Sequence, residues 1–230
     1  MKLGKYYSQV KRVREEIDPL TADEVSLFLR TVLDSKYYRE YYPVLLCAIH
    51  AGLRAGELAG VQWGDLDFVG RFLTVRRNIV HGRINLPKNG KVRRVDMSDA
   101  LIDALQALKK ARQAEWLAKG QNDIPEWVFC NHEGKVLDTN NLRNRALHKC
   151  LEAAKLRTIR LHDLRHSFAS LLIQNGESLA YVRDQMGHSS IKVTVDIYGH
   201  LVPGANRQAV NRLPTASGIV KKAKAKKNLA

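Results

Sequence analysis

Three cysteines in 230 residues, Cys47, Cys130 and Cys150, are too few and too scattered for a disulfide framework. They read as reduced thiols, mostly buried. No apolar run reaches the roughly eighteen residues needed to cross a bilayer, and Met1 to Val10 lacks the apolar middle of a signal peptide. The expected location is therefore cytoplasmic. Acidic residues are also scarce, 23 Asp+Glu against 38 Lys+Arg. That shortage leaves a formal charge of +15 and a pI near 9.9, so acidic partners are favoured and nucleic acid first among them. There is no Gly-rich phosphate loop of the GxxxxGK[ST] kind, and no acidic cluster suited to two-metal nuclease chemistry. The Cys130-x-His132 and His148-x-Cys150 pairs fall outside structural zinc spacings, so no metal and no cofactor is expected.

What is present suits a packed domain. Hydrophobic residues make up 45% of the chain, enough for a proper core. Thr21-Ala22-Asp23-Glu24 is a capping box, and a helix is expected from about Thr21 to Leu33. Others follow at Arg39 to His50, stopped by Gly52, and at Ala55 to Val61. Between Val75 and Met97, β-branched residues flank Lys88-Asn89-Gly90-Lys91. Asn-Gly in that setting is a hairpin signal, and a small antiparallel sheet is expected from Arg71 to Met97. Ser98 should cap a long helix with Leu101, Leu105 and Leu108 at helical spacing. Trp127 to Cys130 reads as a strand or a buried extended segment. Helices are then expected at about Thr139 to Ala154, His162 to Asn175, Ser178 to Met186 and Ser190 to Tyr198. The fold class is mainly α with a small antiparallel β-sheet.

Chemistry concentrates late in the chain. His162-Asp163-Leu164-Arg165-His166 puts His162, Arg165 and His166 on one helix face, beside an apolar stripe of Leu164, Phe168 and Leu171. Taken alone this is either a capped core helix or a set of proton movers beside a phosphate-binding guanidinium. Gly52-Leu53-Arg54 followed by Glu57 is either a surface ion pair or a carboxylate that orients an arginine toward a phosphate. Lys88, beside the Asn-Gly turn, reads on its own as a solvated hairpin lysine. Tyr198 is an interface tyrosine or a nucleophile. Arg76, Arg77, Lys91, Arg93 and Arg94 form either a charged sheet face or a track for a DNA backbone.

Arg54 with Glu57, Lys88 in a turn, His162-x-x-Arg165, Gly187-His188 and Tyr198 together resemble, in order and spacing, the phage-type tyrosine recombinases (integrases), across roughly residues 18 to 205. The resemblance implies the catalytic-domain fold of that family and a DNA strand transferase that needs neither metal nor ATP. It implies Tyr198 as nucleophile, Arg54 and Arg165 as donors to the phosphate, and His162 as proton acceptor from the tyrosine or donor to the phosphate. Lys88 would protonate the leaving 5′-oxygen, His188 would bind the phosphate, and Glu57 would be accessory. His166 and His200 would line the site or orient its members. The implied partner is double-stranded DNA, with the chain a monomer when free and a homo-oligomer on DNA, its segment after Tyr198 packing on a neighbour in trans. The implied setting is bacterial or phage-encoded, near the nucleoid, integrating or excising a mobile element. The implied organisation is a linker or remnant at 1–18, a catalytic domain at 19–213 and a basic flexible tail at 214–230, without the family's preceding DNA-clamping domain. A relative that binds DNA without cutting it, and a type IB topoisomerase-like enzyme, are the competing readings.

Overall fold

The protein's structure, a computed structural model, describes residues 17–87, 90–202 and 213. Helix α1 (Ala22–Asp34) starts on a reciprocal cap: Thr21 Oγ1 accepts from the Glu24 amide, and Glu24 Oε2 accepts from the Thr21 amide at 2.8 Å. Its buried face, Val25, Phe28 and Val32, packs on α2 (Tyr42–His50), in which every residue from Val44 to Ile49 is buried. A helix apolar on all sides belongs in the middle of a core. It stops where Gly52 turns left-handed at φ +57°. A Cβ there would stand 2.2 Å from the Phe168 ring, so the residue must be glycine for two reasons at once. The chain then turns directly into α3 (Ala55–Ala59), which leaves Arg54 at its start.

Strands β1 (Leu66–Asp67), β2 (Phe72–Val75) and β5 (Arg93–Asp96) form an antiparallel sheet in the order β1-β2-β5. Strands β3 (Asn78–Val80) and β4 (Arg83–Asn85) form a separate ribbon. That ribbon corrects the hairpin expectation. Its turn is His81-Gly82, both at positive φ (50° and 73°), the backbone that a two-residue hairpin requires. The Gly90 amide donates to the Pro87 carbonyl at 2.7 Å, and the strands on either side of these two residues, β4 and β5, belong to different sheets. Lys88 and Asn89 lie outside the described residues.

Ser98 caps α4 (Asp99–Ala118). Trp127 and Cys130 make isolated bridges to Gln62 and Val136, so this stretch is a buried extended segment without a ladder. One helical run follows as α5 (Thr139–Asn141), a π-helical stretch (Leu142–Leu147) and α6 (His148–Ala153). Then come α7 (Leu161–Gln174), α8 (Leu179–Met186) and α9 (Ile191–Tyr198). Leu164 on α7 belongs to the main core, whereas Phe168, Ala169 and Ile173 join Val182, Met186 and Tyr198 in a second cluster. Helix α7 thereby ties the two parts together. The three cysteines are free, Cys47 and Cys150 buried and Cys130 partly so.

Candidate active site

Asp163 fixes where α7 begins. Its carboxylate accepts from the Arg160 amide at 2.7 Å and pairs with the Arg160 guanidinium at 2.9 Å, which closes the first turn. His162 is thereby exposed at the helix entrance, and Arg165 is carried inward to 2% exposure. The Arg165 guanidinium donates to the carbonyls of Gly52 and Met186. These acceptors are neutral. Burial first, and then the nearby Arg54 charge, lower its proton affinity, yet a guanidinium stays cationic at neutral pH. The result is a buried positive charge that, among the described residues, is paired with no carboxylate of its own.

Arg54 reaches the same place from the other side. Its Nη1 donates to Glu57 Oε1 at 2.8 Å, and its Nη2 lies 3.4 Å from the Gly187 carbonyl, the residue next to Met186. Glu57, 1% exposed, also accepts two bonds from Arg93, at 3.0 and 2.8 Å. Burial would raise the Glu57 pKa, but the Arg93 and Arg54 contacts outweigh it and hold the group at about 2. Two guanidiniums therefore bind this one carboxylate, and with Arg165 nearby the cluster carries a surplus of positive charge suited to an anion.

Helix α8 ends on Gly187 in the left-handed conformation at φ +62°, with the Arg93 side chain where a Cβ would point. His188 follows, its Nδ1 bonded to Thr194 Oγ1 at 2.9 Å. Burial, then the charges of Arg165 and Arg54, pull its pKa down to about 4. Tyr198 closes α9 at 1% exposure. Its hydroxyl is 2.6 Å from His166 Nδ1, and its ring lies parallel to that of His188 at 6.5 Å between centroids. Burial raises the phenol's pKa, opposed by the Arg165 charge. The His166 ring in turn meets His162 edge-on at 4.9 Å.

Of the six residues singled out as catalytic, five converge: Arg54, His162, Arg165, His188 and Tyr198. Lys88 lies outside the described residues. The backbone-tracking candidates divide. Arg94 and Lys91 are exposed, Arg94 lying over Phe72 at 4.4 Å. Arg76 is exposed and pairs with buried Asp65 at 3.2 Å, and Arg77 binds the same carboxylate from a half-buried position. Arg93 departs from the expectation: its guanidinium faces inward and holds Glu57 and the Gln185 carbonyl. Strand alternation alone does not show which face of β5 meets α8. Among the described residues, no three His, Cys, Asp or Glu side chains gather in a way that could hold a metal ion. A cavity of about 870 Å³ lies away from this cluster, between α2, α4 and residues 128–142.

Comparison with known proteins matches residues 18–204 to the model of the phage integrase family. A tyrosine recombinase XerC-like protein of Caldanaerobacter subterraneus subsp. tengcongensis is 28% identical over 221 residues, covering 88% of this chain and 55% of that protein. The ICEBs1 integrase of Bacillus subtilis is 28% identical over 185 residues, covering 78% of this chain and 49% of its own length. The chain thus spans about half the length of these relatives. Among solved structures, the Tn1549 transposon integrase in complex with a circular intermediate DNA superposes with a TM-score of 0.73 at 25% identity, over 89% of this chain and 68% of that one.

Proposed function

Because the chain belongs to the phage integrase family, we propose that it is the part of a site-specific DNA recombinase that cuts and rejoins strands through a 3′-phosphotyrosyl intermediate. One observation carries the reading above the others. Arg54 and Arg165, 111 positions apart in sequence, reach the carbonyls of adjacent residues, Gly187 and Met186, and so stand side by side.

Two forked cations at one point fit the non-bridging oxygens of a single phosphodiester, where charge builds during attack. The Tyr198 oxygen attacks phosphorus; the 3′-phosphate stays on the tyrosine and the 5′-oxygen leaves with a proton supplied, on the family resemblance, by Lys88. His188, beside Gly187, donates to the same phosphate, and His162 serves it from the exposed end of α7. In rejoining, a 5′-hydroxyl from another strand attacks the phosphotyrosine and frees Tyr198. Glu57 and Arg93 hold Arg54 in place and do not touch the substrate.

The partner is double-stranded DNA of a mobile element, met in the cytoplasm by a free monomer and cut by an assembled oligomer. Ile191 and Val195 on α9 and Val202 just beyond it are 40, 45 and 45% exposed, an apolar strip that a neighbouring copy would cover. Of the segment expected to pack in trans, 203–213, all but Leu213 lies outside the described residues, as does the basic tail. No described helix is long and apolar enough to cross a membrane.

The test is covalent trapping in EDTA on nicked duplexes drawn from a randomised-sequence library. The wild-type chain should yield a protein–DNA adduct that Tyr198→Phe abolishes while retaining DNA binding. An adduct that persists in the variant assigns the nucleophile elsewhere.

A further inference from the structure

We propose that His166 is a catalytic residue, its Nδ1 taking the hydroxyl proton of Tyr198 as the phenol oxygen bonds to phosphorus and returning it when the strand is rejoined. This rests on the reading of Tyr198 as nucleophile. The phenol is 1% exposed, which shields it from bulk hydroxide, and it sits 2.6 Å from His166 Nδ1. His162, the acceptor implied by resemblance, touches the His166 ring and is exposed.

An Nδ1 that accepts from the phenol leaves the imidazole proton on Nε2, the neutral tautomer. Burial first, then the neighbouring His162, hold the His166 pKa at about 4, so the ring is an open acceptor at neutral pH. The groups facing it are His162, Asp163 and Arg165 on α7, Arg160 just before that helix, His188 after α8 and Tyr198 on α9. A DNA phosphate set against Arg54 and Arg165 adds negative charge beside the ring and favours the imidazolium. Arg165 and His166 are consecutive on one rigid helix, so the phosphate clamp and the proton acceptor keep a fixed relation. The step balances. The Tyr198 O–H bond breaks as N–H forms on His166 and O–P forms on the tyrosine; the P–O5′ bond breaks and that oxygen draws its proton from a separate donor.

Single-turnover adduct formation on one nicked duplex from the library distinguishes this role, run in parallel with a 5′-oxygen and a 5′-sulfur leaving group. His166→Gln, which keeps a hydrogen-bond acceptor but cannot take the proton, should slow the adduct by about a hundredfold with either leaving group. Sulfur leaves without a proton and so should not rescue it. The wild-type rate should also fall at acid pH, a limb that the variant lacks. Thermal melts and binding to the same duplex establish that the variant is folded, and His166→Asn serves as a second, smaller amide.

His166→Gln within about threefold of wild type reduces the contact to positioning and overturns the proposal. Rescue by sulfur, or faster adduct formation, overturns it too. No wild-type adduct, or an adduct surviving Tyr198→Phe, instead removes the nucleophile reading and this proposal with it.

Discussion

Arg165 is the most buried cation of the cluster, with carbonyl acceptors on two of its nitrogens and, among the described residues, no carboxylate of its own. Such a cation is stabilised by whatever anion enters, and it contributes most where that anion's charge grows. Replacing Arg54 or Arg165 by Ala should slow adduct formation at least about a hundredfold, by analogy with the loss of one preorganised donor. A loss below about tenfold in single-turnover assays would place the phosphate elsewhere. Acid stability follows from the same residues. His166 and His188 have folded pKa values of about 4 against an ordinary 6.5, so on acidification the unfolded chain binds protons first. Their contribution is whole above pH 6.5 and drains away as pH falls toward 4. Glu57, held at about 2 against 4.5, extends the loss from 4.5 downward. Urea midpoints should therefore fall between pH 6.5 and 4, and a flat profile there contradicts the burial of neutral imidazoles. At this scale the sequence disclosed residue types and spacing, including the Arg54–Glu57 pair. It did not disclose Arg93, because a basic strand residue looks the same whether it faces solvent or the start of α3. His166 was visible only as a neighbour in a motif, since its partner Tyr198 is 32 residues away.

Elements were legible where their signals are local. Caps at Thr21, Ser98 and Ser178 mark helix starts because hydroxyl and amide lie within one turn. Turns between sheets were not, because Asn-Gly and His-Gly both offer a left-handed pair and only strand pairing decides which closes a ribbon. The π-helical stretch at Leu142–Leu147 left no sequence mark that we can identify. The junction after α2 is the element-scale hinge of the site, since Gly52 places Arg54, accepts the Arg165 bond and abuts Phe168. Gly52→Ala adds a strained φ and a methyl group inside the Phe168 ring contact. It should cost about 2–4 kcal/mol by urea denaturation. An unchanged midpoint would mean that α7 yields freely against α2.

The whole molecule carries an excess of 15 positive charges and a cluster of guanidiniums, and it spans about half the length of the relatives it resembles. Phosphate contact rather than base reading should dominate its hold on DNA. Log K should fall by about 0.9 per phosphate contact for each log unit of salt, and tight, salt-insensitive binding would contradict that. The fold class and the gathering of distant motifs were foreseeable because each motif sits at the end of a helix whose limits are themselves readable. How α7 joins two apolar clusters was not, since both clusters use the same residue types.

The most direct measurement is to digest the trapped protein–DNA adduct and identify the nucleotide-bearing peptide by mass spectrometry. The account predicts a single modified residue, Tyr198, linked to a 3′-phosphate. A nucleotide on any other side chain, or a 5′-phosphate link, would contradict it.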